Sequence, residues 1–252
     1  MKKYLLTVFF WAYALTADIQ LLRNQPLNAV NIGYISLTDA ITDFNELVKK
    51  LKNFAEDSTI DTIILHINSP GGSPGSSQII ADFITWVKQT KPVIAFISDS
   101  GTSGAYWIAA ACTYILAPET AIIGSIGVAH ELPKKNKTLS FTAGKYKRPH
   151  YLADGVIDPD DQKKIQERLD LMYDIFCKSI ATLRSIPVET LKSLEAQVFL
   201  GVQARELGLI DQNGTIRDVF DVAVDLTKNK KSAPATLIRV IVSPTEVFEF
   251  AL

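Results

Sequence analysis

The sequence has few of the residue types that build metal sites, disulfide frameworks or nucleic-acid surfaces. Its 252 residues include two cysteines and three histidines, and the formal net charge is -1. Cys112 and Cys177 have no metal-site or disulfide spacing, and both lie among apolar residues, so we expect two buried thiols. The near-neutral charge and the short, scattered basic clusters exclude the electrostatic surface that nucleic-acid binding requires.

The sequence also lacks an apolar run of the roughly 20 residues that cross a bilayer as a helix. Residues 4–17 form a shorter uncharged and mostly apolar run that follows Met1-Lys2-Lys3 and ends among small residues. This order is typical of a secretory signal peptide. We expect 1–17 to be a signal peptide or short membrane anchor, 18–29 to be a linker, and the protein to be exported, periplasmic or associated with the inner membrane. A buried first strand or helix is the alternative.

What the sequence does have is enough apolar residues for one large core, since 47% of its residues are hydrophobic and 21% are charged. Apolar runs alternate with amphipathic ones, which predicts an α/β fold with a mainly parallel sheet covered on both faces. We expect one domain over 30–228 and a tail over 229–252. The predicted strands are Val30 to Leu37, Thr62 to Ile67, Val93 to Ile97, Tyr114 to Leu116, Ala121 to Ile123 and Thr236 to Val242; the predicted helices are Asp39 to Phe54, Ser76 to Lys88, Ser103 to Ala111 and several after Pro159.

Two glycine-containing turns follow predicted strands, where open α/β sheets usually hold their sites. The first, "NSPGGSPGSS" at 68–77, lacks the lysine and glycine spacing of a P-loop and is not G-x-G-x-x-G. Paired glycines also let a backbone turn sharply and present an N–H group to a cleft. Gly71 or Gly72 is therefore a candidate oxyanion donor.

The second turn, "GTSGAYW" at 101–107, surrounds Ser103 with small residues. Such residues leave room for an acyl group at the hydroxyl, and the N–H of Gly104 could face a developing oxyanion. An ordinary helix N-cap is the alternative interpretation of Ser103. We expect Tyr106 and Trp107 to pack in the core, and the hydroxyls of Ser98 and Ser100 to lie in a loop.

A nucleophilic serine needs a base, and the residues alone leave this base open. His66 lies in an apolar strand and is expected to be structural, His130 could pair with the serine, and His150 lies in a basic, exposed segment. A lysine is the other option if burial depresses its pKa. Moving that pKa from about 10.4 to about 7 costs roughly 4 to 5 kcal/mol of folding stability, which an enzyme tolerates for its chemistry.

Five blocks in order resemble the signal peptide peptidase A (SppA) family of serine-lysine peptidases. They are "INSPGGS" (67–73), "TSGAYWIA" (102–109), "GSIGV" (124–128), "AGKYK" (143–147) and "QARELGLID" (203–211). The resemblance implies a Clp protease/crotonase-like superhelix of ββα units, with a mainly parallel sheet and a C-terminal helical extension. It makes 30–228 an SppA-like peptidase domain.

The same resemblance implies Ser103 as nucleophile and Lys147 as general base, with Gly72 and Gly104 as the oxyanion donors. Ser125 would support the lysine through a hydrogen bond, and a simple turn serine is the alternative for it. Lys145 is a competing base. No metal or organic cofactor is implied.

The implied function is that of a serine endopeptidase that hydrolyses hydrophobic peptides, such as signal-peptide remnants, within a homo-oligomeric ring that can associate with a membrane. A phage-type capsid-processing peptidase of the same fold, a crotonase-type acyl-CoA enzyme and a catalytically inactive membrane-associated scaffold are the alternatives. The chain departs from the family pattern at Thr102 and Ala105, and "ELPKKNK" at 131–137 lies in a segment that is shorter than usual.

Overall fold

The structure is a computed structural model that describes residues 29–130, 157–228, 237–243 and 246–251. The leader expected at 1–17 and most of the linker at 18–29 lie outside these residues. None of the helices in the described ranges combines the length and the apolar character needed to cross a bilayer.

The predicted strands and helices occur in the predicted order, and the structure adds three strands, at Val198–Leu200, Gln212–Asn213 and Glu246–Ala251, where the sequence predicted none. The strands are β1 (Ala29–Leu37), β2 (Thr62–Ser69), β3 (Val93–Thr102), β4 (Tyr114–Ala117), β5 (Ile122–Gly124), β6 (Val198–Leu200), β7 (Gln212–Asn213), β8 (Leu237–Ser243) and β9 (Glu246–Ala251). The helices are α1 (Asn45–Glu56), α2 (Pro74–Val87), α3 (Gly104–Ala110), α4 (Pro159–Arg184), α5 (Val188–Ser193), α6 (Gly201–Glu206) and α7 (Ile216–Thr227).

The described strands form one mostly parallel sheet, which confirms the predicted α/β class. The strand order is β6-β5-β3-β2-β1-β8-β9, and β4 pairs with β3 and β7. Only the β5–β6 and β8–β9 pairs are antiparallel. Strand β3 changes neighbour along its length, because 94–96 pair with β4 whereas 100–102 pair with β5. This change of neighbour lies just before Ser103.

Both faces of the sheet are covered, which explains why the central strands are almost continuously apolar. Helices α1 to α4 contribute to the larger core on one face, where β2 and β3 supply Leu65, Ile67 and Ile97. Helix α7 covers part of the other face and packs on Ile64 and Ile94. The predicted core thiols belong to the larger core; burial raises the pKa of Cys112 to about 12 and also raises the pKa of Cys177.

Part of the stretch 229–252, expected to be a tail, instead extends the sheet. Strand β8 agrees with the strand predicted at Thr236 to Val242, and it pairs in parallel with β1 before β9 returns beside it. Ile238 and Val240 are buried in the smaller core under α7. Because these alternate side chains of β8 point to the core and are apolar, their burial attaches the segment to the domain.

Helix α1 begins at Asn45, six residues later than the helix predicted from Asp39. Ile41, expected on its apolar face, forms an isolated parallel bridge with Gly72 instead. The Ile41 N–H donates to the Gly71 carbonyl (2.8 Å), and the Ser73 N–H donates to the Ile41 carbonyl (2.7 Å). These long-range bonds satisfy the backbone in an extended form, so the segment supports the glycine turn after β2.

A largely buried ion pair ties the end of α4 to the sheet. Arg184 donates to both carboxylate oxygens of Asp211 and to the Gly208 carbonyl, and Asp211 also accepts the N–H of Ile115 in β4. The Arg184 side chain is only 10% exposed. Burial lowers the pKa of Arg184, but the hydrogen bonds that it donates to Asp211, together with the charges of Asp211 and other neighbouring groups, outweigh that effect, so the pKa is raised overall. One carboxylate thus connects the helix to β4.

Replacing Arg184 by Met should lower the free energy of unfolding by about 3 kcal/mol, because Asp211 would keep a poorly solvated charge without its partner. Urea denaturation monitored by circular dichroism measures this loss. Lys50→Met is the matched control: it breaks an exposed pair with Glu46 and should cost less than about 0.5 kcal/mol. Equal losses in the two variants would contradict the structural role of the Arg184–Asp211 pair.

Candidate active site

A cleft of about 390 Å³ opens where β2 and β3 end. The turn after β2 forms one side of it, and Ser103 and Gly104, directly after β3, form another. Parallel strands bring their carboxyl ends to one edge of a sheet, which is why these two turns meet. The cleft is lined by Gly72, Pro74, Gly75, Gln78, Ser103, Gly104, Trp107, Gly127, Val128, Ala129, Met172, Ile175 and Phe176.

Ser103 lies between β3 and α3 in a strained backbone conformation, with φ 53° and ψ −126°. Its N–H donates to the Gly124 carbonyl of β5 (2.8 Å), and its carbonyl accepts the N–H of Trp107 (3.1 Å). Its hydroxyl makes no capping hydrogen bond to the helix. The interpretation of Ser103 as an ordinary N-cap is therefore wrong, because the positive φ turns the side chain away from the helix's N–H groups.

The backbone N–H groups of the two turns differ in whether they already donate a hydrogen bond within the described part of the chain. The N–H of Gly71 donates to the hydroxyl of Ser69 (3.2 Å). Within the described part of the chain, no partner is recorded for the N–H of Gly72 or of Gly104, and both residues line the cleft. The geometry favours Gly72 over Gly71 as the donor from this turn, paired with Gly104.

The glycine turn contacts the serine turn too closely for any side chain. A Cβ on Gly71, whose φ is +94°, would lie 2.7 Å from the Gly104 nitrogen and 2.9 Å from Ser103 Cβ. A Cβ on Gly72 would lie 2.2 Å from the Ile41 carbonyl oxygen. A Cβ on Gly104 would lie 2.2 Å from the hydroxyl of Ser77 and 3.5 Å from the Gly72 nitrogen. The absence of side chains lets the two turns touch.

An apolar wall completes the cleft, and sequence reasoning missed it. Trp107, predicted to pack in the core with a role in substrate binding as the alternative, is 4% exposed and also lines the cleft. Its ring stacks on Phe176 of α4 at 4.5 Å, and its Nε1 donates to Ser179 (2.8 Å). Met172 and Ile175 extend the wall and are 37% and 43% exposed. The sequence signal that could have revealed this wall is the presence of Met172 and Ile175 in a helix whose other exposed positions are mostly polar.

Ser125 directly follows Gly124, the residue that binds the Ser103 backbone. It has a positive φ of 50°, its N–H donates to the Gln197 carbonyl (2.9 Å), and its side chain is half-buried. Ser125 is not among the described residues that line the cleft. The structure thus places Ser125 directly after the residue whose carbonyl accepts the Ser103 N–H.

The described part of the cleft has no ionisable lining residue that could serve as a base. His66 packs between Tyr34 and Phe96 on the other sheet face, where burial lowers its pKa, and it hydrogen-bonds Ser98 (2.8 Å). His130 is exposed and does not line the cleft. The remaining candidates from the sequence, Lys145, Lys147 and His150, lie outside the described residues.

Ser98 and Ser100, expected in a loop, belong to β3. The strand continues to Thr102 because β5 provides a new partner where β4 ends. Among the described residues, no cluster of three or more histidine, cysteine, aspartate or glutamate side chains could hold a metal ion. The polar groups with catalytic potential among the described lining residues are thus the hydroxyl of Ser103, the N–H groups of Gly72 and Gly104, and the side-chain amide of Gln78.

Two family models match the chain. The model for peptidase family S49 matches residues 86–230, which include Ser103, Ser125 and the apolar wall on α4. The Clp protease model matches residues 27–123, which include both turns of the cleft. Together with the mostly parallel sheet, the second match supports the predicted Clp protease/crotonase-like fold.

Several curated proteins are similar to most of the chain. "Serine protease SPPA, chloroplastic" of Arabidopsis thaliana is 29% identical over 82% of this chain and 32% of its own length. "Capsid assembly protease C" of Escherichia phage lambda is 29% identical over 76% and 45%, respectively. "Protease 4" of Salmonella typhi is 30% identical over 69% and 30%. The chain spans less than half the length of each of these three relatives.

The strain at Ser103 gives a stability prediction that is independent of catalysis. Ser103→Gly should have a free energy of unfolding about 1 kcal/mol higher than Ser103→Ala, since glycine adopts a positive φ without steric cost while alanine keeps the strain. Thermal unfolding of the two variants measures this difference. At Ser193, which is exposed in α5, the order should reverse because alanine favours helix. The same order at both positions would contradict the strain at Ser103.

The contact between Gly104 and Ser77 predicts a compensating pair of substitutions. Gly104→Ala should cost about 2 kcal/mol, as overpacking of a close contact does, because its Cβ would lie 2.2 Å from the Ser77 hydroxyl. Adding Ser77→Ala removes that oxygen and leaves 3.1 Å as the closest approach, so the double variant should recover part of the loss. Urea denaturation of the two single variants and the double variant forms a thermodynamic cycle. Strictly additive losses would show that this contact does not limit the turn.

Proposed function

The chain belongs to peptidase family S49, and from that membership we propose that it is a serine endopeptidase with a Ser103–Lys147 dyad. The observation that carries the proposal is that Ser103 lines the cleft, its hydroxyl makes no capping bond, and the neighbouring N–H groups of Gly72 and Gly104 have no partner among the described residues. A structural serine would use its hydroxyl for the helix. A nucleophile must keep it available.

The proposed reaction is acyl transfer to Ser103. Neutral Lys147 takes the proton of Ser103 while Oγ bonds to the peptide carbonyl carbon, and the N–H groups of Gly72 and Gly104 stabilise the oxyanion that forms. The lysine ammonium then protonates the leaving amine as the peptide bond breaks. Water, deprotonated by the same lysine, attacks the acyl-serine ester and releases the carboxylic acid product and free Ser103.

Lys147 is favoured as base partly by elimination among the described residues. His66 is used by Ser98 on the other face of the sheet, and no described lysine lines the cleft. Lys147 also occupies the family position in the "GKYK" segment, two residues after Lys145. Ser125 is proposed to orient the lysine ammonium by a hydrogen bond, and its place next to Gly124 supports that role.

The proposed substrates are hydrophobic peptides, such as signal-peptide remnants. Support comes from the wall of the cleft, where Trp107, Met172, Ile175 and Phe176 present apolar surface close to Ser103. Apolar pockets with a few placed polar groups bind apolar side chains and orient the scissile bond through backbone contacts. A charged side chain in this pocket would lose its hydration without gaining a partner.

We further propose that the protein works as a homo-oligomer that can associate with a membrane outside the cytoplasm. Exposed apolar side chains on β9 support self-association, since Val247, Phe248 and Phe250 are each about half exposed at the outer edge of the sheet. Phe248 and Phe250 are two residues apart and therefore lie on the same face of β9, and exposed apolar surface is typical of interaction sites. The proposed location rests on the basic and apolar pattern at 1–17.

A capsid-processing peptidase is the second candidate function, because the chain is similar to "Capsid assembly protease C" over 76% of its residues. This candidate shares the proposed dyad and differs in location and substrate. Cell fractionation together with N-terminal sequencing of the mature protein separates the two. An exported protein that begins near residue 18 supports the first, and a cytoplasmic chain that retains residues 1–17 supports the second.

The dyad predicts that Ser103→Ala and Lys147→Ala each lower kcat by at least about a thousandfold, because nucleophile and base act as one unit. Initial-rate measurements on an apolar fluorogenic peptide test this. Lys145→Ala is the matched control and should leave kcat close to that of the unmodified protein. In the unmodified protein the rate should rise with pH as the lysine ammonium loses its proton. Activity that survives either dyad substitution would refute the mechanism.

A further inference from the structure

The pairing of β2 with β3 contains a bulge a few residues before Ser103. Ile67 pairs with Ile97, and the next recorded pair joins Ser69 to Gly101. Between these pairs β2 has one residue, Asn68, whereas β3 has three, Ser98 to Ser100. Strand β3 is therefore longer by two residues at this point. A bulge of this kind leaves backbone groups without their ladder partners.

Side chains from β2 hold the bulge. The Ser100 N–H donates to Asn68 Oδ1 (3.3 Å), and the hydroxyl of Ser98 is hydrogen-bonded to His66 Nε2 (2.8 Å). Asn68 and His66 are separated by one residue on β2, so both side chains point to the same face of the sheet. The two bonds thus bind both ends of the extra segment to one strand.

The bulge decides where Ser103 lies relative to the glycine turn. Two residues of strand correspond to about 7 Å along the chain at about 3.3 Å per residue. Without the two extra residues, the Gly71–Gly72 turn would face a different part of the β3 exit. The bulge also lies where β3 leaves β4 and begins to pair with β5, whose Gly124 carbonyl holds the Ser103 N–H.

We propose that Asn68 is a positioning residue: its side-chain carbonyl holds the Ser100 N–H, which fixes the bulge in β3 and so sets Ser103 beside the N–H groups of Gly72 and Gly104. The hydrogen bond between His66 and Ser98 is a second interaction that stabilises the same bulge. This inference rests on the proposed peptidase function. It assigns to polar residues on the far side of the sheet a role in aligning a nucleophile that they do not touch.

The test compares Asn68→Leu with Asn68→Asp on the full-length protein and an apolar fluorogenic peptide. Leucine has the same branching and the same number of side-chain heavy atoms but no acceptor, whereas aspartate keeps an oxygen at the same position. Asn68→Leu should lower kcat by about 10- to 100-fold, as misplacement of a reacting group by about 1 Å does. KM should hardly change, because the apolar wall on α4 is untouched. Asn68→Asp should restore most of kcat.

Thr62→Val is the control for a merely structural effect. It removes another hydrogen bond across the same strand pair, from the buried Thr62 hydroxyl to the Pro92 carbonyl (3.0 Å), at the end remote from Ser103. It should lower the melting temperature and leave kcat unchanged. Ser98→Ala is a milder second variant that should lower kcat by less than Asn68→Leu, again with KM constant.

Each outcome bears on one of the two proposals. If the unmodified protein hydrolyses the peptide and Ser103→Ala abolishes that hydrolysis, the peptidase proposal is supported. If the unmodified protein shows no hydrolysis, the peptidase proposal itself fails. Given hydrolysis, an unchanged kcat in Asn68→Leu overturns the positioning role while the peptidase proposal stands. Equal losses of kcat in Asn68→Leu and Thr62→Val at matched folded fractions, or no rescue by Asn68→Asp, overturn it as well.

Discussion

The active cleft depends on one contact, the approach of the Gly71–Gly72 backbone to the backbone of Ser103 and Gly104. Side chains on any of the three glycines would overlap with atoms that cannot move freely. Among the described residues, the contact places two N–H groups without a hydrogen-bond partner beside a hydroxyl that makes no capping bond. Polar groups left without partners at a cleft cost folding free energy, and this arrangement is sensible only where a ligand completes the hydrogen bonds.

The rest of the fold maintains that contact from several directions. The sheet brings the ends of β2 and β3 to one edge, and the bridge between Ile41 and Gly72 stabilises the glycine turn. On the opposite side of the cleft, the Trp107–Phe176 stack attaches α4 to α3, and the Arg184–Asp211 pair anchors the far end of α4 to β4. The apolar wall and the backbone of the two turns are therefore held together by one connected set of contacts.

Local patterns were sufficient to predict the fold class, the order of the elements as far as β5 and the residues of the two turns, whereas β6, β7 and β9 were not predicted. Apolar runs that alternate with amphipathic segments reflect burial on both sheet faces, and glycines beside a serine reflect a tight approach of backbones. Features that depend on distant partners were not predictable. Ile41 leaves a helical pattern for a bridge to Gly72, Trp107 gains a second role from Phe176, and β8 joins β1 across the whole chain. The positive φ of Ser103 also has no signature in composition or periodicity.

The pairing of β2 with β3 determines when the cleft is assembled during folding. The turns at Gly71 and at Ser103 are separated by about thirty residues and meet only after the parallel strands have paired in their final register. Parallel pairing of this kind has high contact order and forms late relative to local helices. A collapsed chain in which α2 and α3 have already formed would still hold the Ser103 hydroxyl away from the N–H group of Gly72. Under the proposed mechanism, newly made chains would therefore be unable to digest their neighbours, or themselves, until assembly of the sheet is complete.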